Sequence, residues 1–238
     1  MNVIITGASR GLGKAIAEKF AENNHNLYLS SKNELVLYKA MEELQTKYPS
    51  IIIKAKPFDL SNSDEAKAMG QWLLDAEISI DILVNNAGNF LPGNVSNEKE
   101  GTLEEMISVN LYSAYHLTRT LLPKMMKQDP ANGSRGHIFN MCSIASLKAY
   151  NNGGSYSISK FALAGFSKNL REEMKEHFIK VTAVYPGAVY TDSWIGSGID
   201  EKRIMEASDI ADMVFASSQL SPQATVEEII VRPQLGDL

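Results

Sequence analysis

Residues 2–20 read NVIITGASRGLGKAIAEKF. A short apolar run, Val3–Thr6, leads into glycines at positions 7, 11 and 13, and then into a helix-length segment, Gly11–Glu22. The run is nearly continuous in apolar residues, as a strand buried on both faces should be. Glycines let the backbone turn tightly and approach a pyrophosphate, and the helix behind them presents its N-terminal amides to that anion. The spacing is neither G-x-G-x-x-G nor G-x-x-x-x-G-K-[ST], and the second mismatch disfavours nucleoside triphosphates. A plain glycine-rich turn has the same composition. The position directly after the first strand is what favours a dinucleotide loop, with Gly7, Ser9, Arg10, Gly11, Leu12 and Gly13 as its members.

Outward from this stretch the same rhythm repeats. Further strands are expected at Asn26–Ser30, Ile51–Lys56, Asp81–Val84, His137–Met141, Lys180–Val184 and Glu228–Val231. Helices are expected at Glu34–Lys47, Ser63–Leu74, Asn110–Lys127, Tyr156–Glu176 and Ser208–Ser217. Alternating strands and helices imply right-handed crossovers and a parallel sheet covered on both faces. The expected fold class is α/β: a single-domain Rossmann-type, three-layer, doubly wound parallel sheet of about seven strands over residues 1–238. Ligands of such sheets gather at the carboxyl ends of the strands. The unusual residues of this chain fall just after the first six.

The 238 residues suit one such unit, and 44% hydrophobic with 21% charged residues suits a packed core. A net charge of −5 gives no footprint for nucleic acid. Cys142 is the single cysteine, so no internal disulfide is possible and a reducing, cytoplasmic setting is expected. Beside no paired histidine, it reads as a small buried hydrophobe. The start MNVIITGAS has no basic region ahead of a long apolar stretch, so no secretory signal is expected. No window approaches 18 apolar residues, so no membrane span is expected. His25, His116, His137 and His177 show no ligand spacing, which argues against a metal.

A cofactor with a free ribose 2′-hydroxyl meets an acid near the end of the second strand. Here that end reads Leu29-Ser30-Ser31-Lys32, and Arg10 lies in the glycine loop. Ser31, Lys32 and Arg10 suit a 2′-phosphate through charge-assisted hydrogen bonds, which favours NADP(H) over NAD(H).

Together these residues resemble the single-domain short-chain dehydrogenases/reductases. TGASRGLG resembles their TGxxxGxG loop. Asp59, followed by Leu60, resembles the aspartate placed beside the adenine after strand three. Asn85-Asn86-Ala87-Gly88 matches their NNAG signature, and Asn110 their central-helix asparagine. Ser143, Tyr156 and Lys160 match their Ser and Tyr-x-x-x-Lys. Pro186-Gly187, Val189 and Thr191 match the segment flanking the nicotinamide. The resemblance covers residues 1 to about 192, with a plausible last strand near 230.

Tyr-x-x-x-Lys occurs twice, at Tyr28/Lys32 and at Tyr156/Lys160. The first falls in a strand, where residues four apart do not pair as they do on a helix. The second has Ser143 thirteen residues upstream. Hydride transfer to a carbonyl builds charge on its oxygen, so a positioned proton donor lowers the barrier. A free tyrosine titrates near 10, and a neighbouring ammonium stabilises the phenolate and lowers that value. The resemblance implies Tyr156 as acid in reduction, Lys160 tuning it and holding the nicotinamide ribose, and Ser143 orienting the carbonyl. It also implies that Asn110 holds a water linking Lys160 to solvent, and that the chain forms a homodimer or homotetramer.

The substrate is expected to be a small-molecule carbonyl. Phe90 and Leu91 after NNAG, Tyr150, and Trp194 are pocket candidates, with a short lid at about 190–208. LYLSSK, PGAVYTDSW and VEEIIVRPQLGD resemble bacterial sepiapterin reductases and their near relatives. A 3-oxoacyl-carrier-protein reductase or a broad carbonyl/alcohol dehydrogenase is the rival enzyme. A non-catalytic NADP(H) sensor is the rival from another class, although such proteins tend to lose the tyrosine or lysine kept here.

Overall fold

The computed structural model describes residues 1–130, 133–191 and 198–237. Among them, β1 (Asn2–Thr6), β2 (Asn26–Ser30), β3 (Ile53–Ala55), β4 (Ile82–Asn85), β5 (Gly136–Met141), β6 (Ile179–Pro186) and β7 (Glu228–Val231) form one sheet. Its order is β3-β2-β1-β4-β5-β6-β7, and every neighbouring pair is parallel. This is the doubly wound α/β arrangement, with the strand order reversing between β1 and β4.

Residue alternation sorts the strand side chains into two cores. Val3 and Ile5 of β1 join Leu27 and Leu29 of β2 against Ile16, Phe20 and Leu37, on α1 (Gly11–Glu22) and α2 (Glu34–Lys47). Ile4 and Tyr28 face the other way, toward Met69 and Leu73 of α3 (Ser63–Asp75) and Leu117 and Leu121 further along the chain. The central strands β5 and β6 are buried at every position. The end of the first core is closed by α7 (Ala207–Ser218), through Ile210 and Val214.

Two elements differ from the sequence expectation. The apolar run at 51–56 yields only the three residues of β3; at its start the Ile52 carbonyl accepts from the Leu27 amide at 2.8 Å while the Ile52 amide donates to the Asn26 side chain at 3.0 Å. The helix expected at Asn110–Lys127 begins earlier. It comprises α4 (Thr102–Ile107), a π-helical turn (Ser108–Tyr112) and α5 (Ser113–Met125). A π-turn holds one extra residue, which interrupts the 3.6-residue apolar period and hides the front of the helix from pattern reading. α6 (Gly154–Met174) follows β5 and runs beside this rod.

Candidate active site

The loop after β1 is shaped by close approaches. Gly7 has φ +63° and Gly11 φ +54°. A Cβ on Gly13 would stand 2.3 Å from the Gly7 carbonyl oxygen, and one on Gly7 would stand 2.9 Å from Asn86 Nδ2. No side chain could be added at either place without moving backbone. Asn86 is fastened there by donating to the Thr6 and Gly7 carbonyls at 3.0 and 3.1 Å. Thr6 Oγ1 in turn accepts from the Asn86 and Ala87 amides, both at 2.9 Å. The loops after β1 and β4 are thus one stitched unit at the switch point. α1 starts from it with no side-chain cap and no acidic residue in its first turn. α2 and α3, by contrast, are capped by Asn33 and Asn62 and carry acids there. An uncapped, acid-free helix start behind a side-chain-free cradle fits a pyrophosphate.

At the rim, Lys32 Nζ pairs with Asp59 Oδ2 at 2.7 Å. Burial pushes the Asp59 carboxyl up, but hydrogen bonds from Lys32 and Ser61 outweigh it and hold the group below its ordinary value. Ser31 is buried, while Arg10 is exposed at the start of α1. Leu60 and Val189 point into apolar surroundings, 5% and 6% exposed, so either would meet a cofactor through backbone. Pro186 ends β6, and the Gly187 amide donates to the Val231 carbonyl at 2.8 Å. Thr191 Cγ2 lies within 3.4 Å of where a Gly11 side chain would be.

α6 places Tyr156 and Lys160 one turn apart on one face. Lys160 is 6% exposed, donates to the Met141 carbonyl at 2.8 Å, and stands 5.9 Å from the Tyr156 ring centroid. Burial pulls its ammonium down to about 8. Burial also pushes the Tyr156 phenol up, opposed by a hydrogen bond with Ser143. The ammonium is drawn to a carbonyl and sits over the ring, leaving Ser143 as the group that eases the phenol downward. Ser143, 9% exposed, follows β5 and accepts from the Ala145 amide at 3.1 Å.

Asn110 sits in the π-turn, 1% exposed. Its Oδ1 accepts from the Asn89 amide at 2.8 Å, and its Nδ2 donates to the Asn89 carbonyl at 3.1 Å and to Ser159 Oγ at 2.9 Å. The side chain thus knits the loop after β4 to α6. A Cβ on Gly88 would lie 2.9 Å from Asn110 Oδ1 and 3.5 Å from Lys160 Nζ. That glycine is where the three segments meet.

Phe90 packs edge-on against Tyr156 with centroids 4.9 Å apart, and is half exposed, as is Tyr150. Leu91 lines a cavity of about 590 Å³ between the loop after β4 and the start of α4. Trp194 and part of the 190–208 lid lie outside the described residues. The first occurrence of the motif, in β2, is structural: Tyr28 is 3% exposed and its ring faces Trp72. A cavity of about 220 Å³ lined by Asp81, His137 and Lys180 lies at the amino ends of β4 to β6, away from these groups. Thr6, Asn89 and Ser159 were missed by sequence reading. Thr6 adjoins Gly7 in the loop motif and was within reach, whereas the other two are joined only by folding.

The family model described as short chain dehydrogenase matches residues 1–202. The chain belongs to that family. It is an oxidoreductase of the short-chain dehydrogenase type. It is 32% identical to a sepiapterin reductase of Chlorobaculum tepidum, over 99% of this chain and 97% of the relative. A metagenomic short-chain oxidoreductase solved in complex with NADP superposes with a TM-score of 0.83 and 31% identity, over 98% of this chain and 97% of the other. L-sorbose reductase from Gluconobacter frateurii, complexed with NADPH and L-sorbose, gives 0.86 and 25% identity, over 97% and 94%. Among the described residues of this short-chain dehydrogenase, no helix is long and apolar enough to cross a membrane.

Proposed function

We propose that this chain binds NADP(H) and reduces the carbonyl of a small, flat molecule to an alcohol, with Tyr156 as the proton donor and a pterin-like ketone as the first substrate to try. The observation that carries this reading is geometric: the half-buried Tyr156 stands one turn of α6 from the buried Lys160, whose ammonium is 5.9 Å from its ring, at the carboxyl edge of the sheet near Ser143 and the glycine cradle. Bound NADPH would supply the hydride. The glycine loop and the start of α1 would hold its pyrophosphate, and Arg10, Ser31 and Lys32 its 2′-phosphate. Ser143 Oγ would donate to the substrate carbonyl oxygen and fix it near the phenol. Tyr156 would then transfer its proton to that oxygen as negative charge builds there. Lys160, with its ammonium anchored on Met141, would steady the resulting phenolate. The neighbouring sepiapterin reductase supports the substrate class, and the exposed rings of Phe90 and Tyr150 beside Tyr156 suit a flat ring. Exposed Tyr112, Ile158 and Phe161 on the π-turn and α6 support a homodimer or homotetramer.

The test is NADPH oxidation against a panel of ketones containing sepiapterin, diketones and acetoacetyl thioesters. Tyr156→Phe should lower turnover by about 10²-fold or more with NADPH affinity nearly unchanged. Full activity in that variant refutes the mechanism.

A further inference from the structure

The loop between β4 and α4 does more than border the site. α6 begins without a capping side chain of its own: Gly153 precedes it in helical backbone, and Gly154 has φ +24°. A helix start leaves amides that need acceptors. Here the acceptor comes from Glu98, on that distant loop. Glu98 Oε2 accepts from the Ser155 amide at 3.2 Å, and Oε1 accepts from the Ser155 hydroxyl at 2.5 Å. Ser155 is 1% exposed. A carboxylate at this end of a helix is also favoured by the helix dipole.

The approach depends on two glycines. A Cβ on Gly154 would stand 2.5 Å from the Gly93 carbonyl oxygen and 2.7 Å from Glu98 Oε2. One on Gly93 would stand 3.0 Å from Glu98 Cβ. The backbone holds the same contact: the Gly93 amide donates to the Asn152 carbonyl at 3.1 Å, and the Asn152 amide to Asn94 Oδ1 at 3.0 Å. The Glu98 amide donates to the Asn94 carbonyl at 2.9 Å, which sets the carboxylate in place. The residue after Ser155 is Tyr156, whose ring Phe90 of the same loop meets at 4.9 Å. One loop therefore grips the tyrosine through its ring and through the amide just before it.

We infer that Glu98 is a positioning residue: through Ser155 it anchors the first turn of α6 and so fixes the direction of the Tyr156 hydroxyl, without touching substrate. This rests on Tyr156 being the proton donor. The test compares Glu98→Ala and Glu98→Gln with wild type and with Tyr156→Phe. In Glu98→Ala, kcat should fall about ten- to a hundred-fold, while KM for the ketone and NADPH affinity stay nearly unchanged. Glu98→Gln keeps an acceptor oxygen and should recover most of the loss. Hydrogen exchange at the Ser155 and Tyr156 amides should accelerate in Glu98→Ala. The inference is overturned if Glu98→Ala keeps wild-type kcat, if Glu98→Gln is equally impaired, or if NADPH affinity falls in step with kcat. Full turnover in Tyr156→Phe would instead remove the proton-donor assignment. If wild type turns over no ketone, exchange decides: unchanged protection at Ser155 and Tyr156 refutes the anchor.

Discussion

Lys160 carries a cost of burial. Its ammonium is buried, one hydrogen bond to Met141 offsets part of the lost hydration, and its folded value of about 8 lies below the ordinary 10.5 of a lysine. Below about 8 both the folded and unfolded chains hold this proton, so the burial penalty, about 3 kcal/mol at most, is fully present. Between about 8 and 10.5 the unfolded chain holds more of it, and this group's contribution makes the fold more stable as pH rises. Lys160→Met should therefore match or exceed wild type in urea at pH 7, and its advantage should shrink by about pH 10. A variant that is weaker at pH 7 by the same margin at every pH would show that burial of the charge does not govern this site. Burial shifts the phenol beside it the other way, upward.

The turns after the strands contribute different kinds of contact. After β1 and β4 the contact surface is backbone, emptied of side chains by Gly7, Gly13 and Gly88. After β2 and β3 it is a charge pair, Lys32 with Asp59. An exposed pair of this kind is worth little, so Lys32 is free to leave Asp59 for a phosphate. Lys32→Asp would leave two carboxylates there and should shift preference toward NADH, read as the ratio of kcat/KM for the two cofactors. A wild type that already prefers NADH would refute the phosphate reading. Most of this architecture was legible in sequence, because β1, β2, α1 and α2 each satisfy one periodicity and have clear ends. The site was legible where its residues share an element, as Tyr156 and Lys160 do. It was illegible where a contact spans elements: Glu98 carries no local pattern, and the Asn110 π-turn erases one. Nor does spacing show that Lys160 turns toward Met141 instead of the phenol oxygen.

Across the whole molecule, the switch between β1 and β4 gathers the glycine cradle, Ser143 and α6 at one edge of the sheet. The two cores hold that edge from opposite faces. On the outside, Ile158 and Phe161 stand three apart on α6, and Gly165 one turn further on has open space around it. A second chain laid there would cover apolar surface without disturbing the buried face of Tyr156 and Lys160. Light scattering should give a mass of at least two chains, and 26.2 kDa would refute the assembly. The π-turn at Ser108–Tyr112 acts at this scale too. Each residue advances a helix by about 100°, so one extra residue rotates everything beyond it by that angle. Asn110 reaches Asn89 and Ser159 before the turn ends, and Leu117, Leu121 and Met125 then meet the core after it. A descendant of this chain that lost one residue there would have a regular helix with two incompatible phases, able to seat its core or its asparagine but not both.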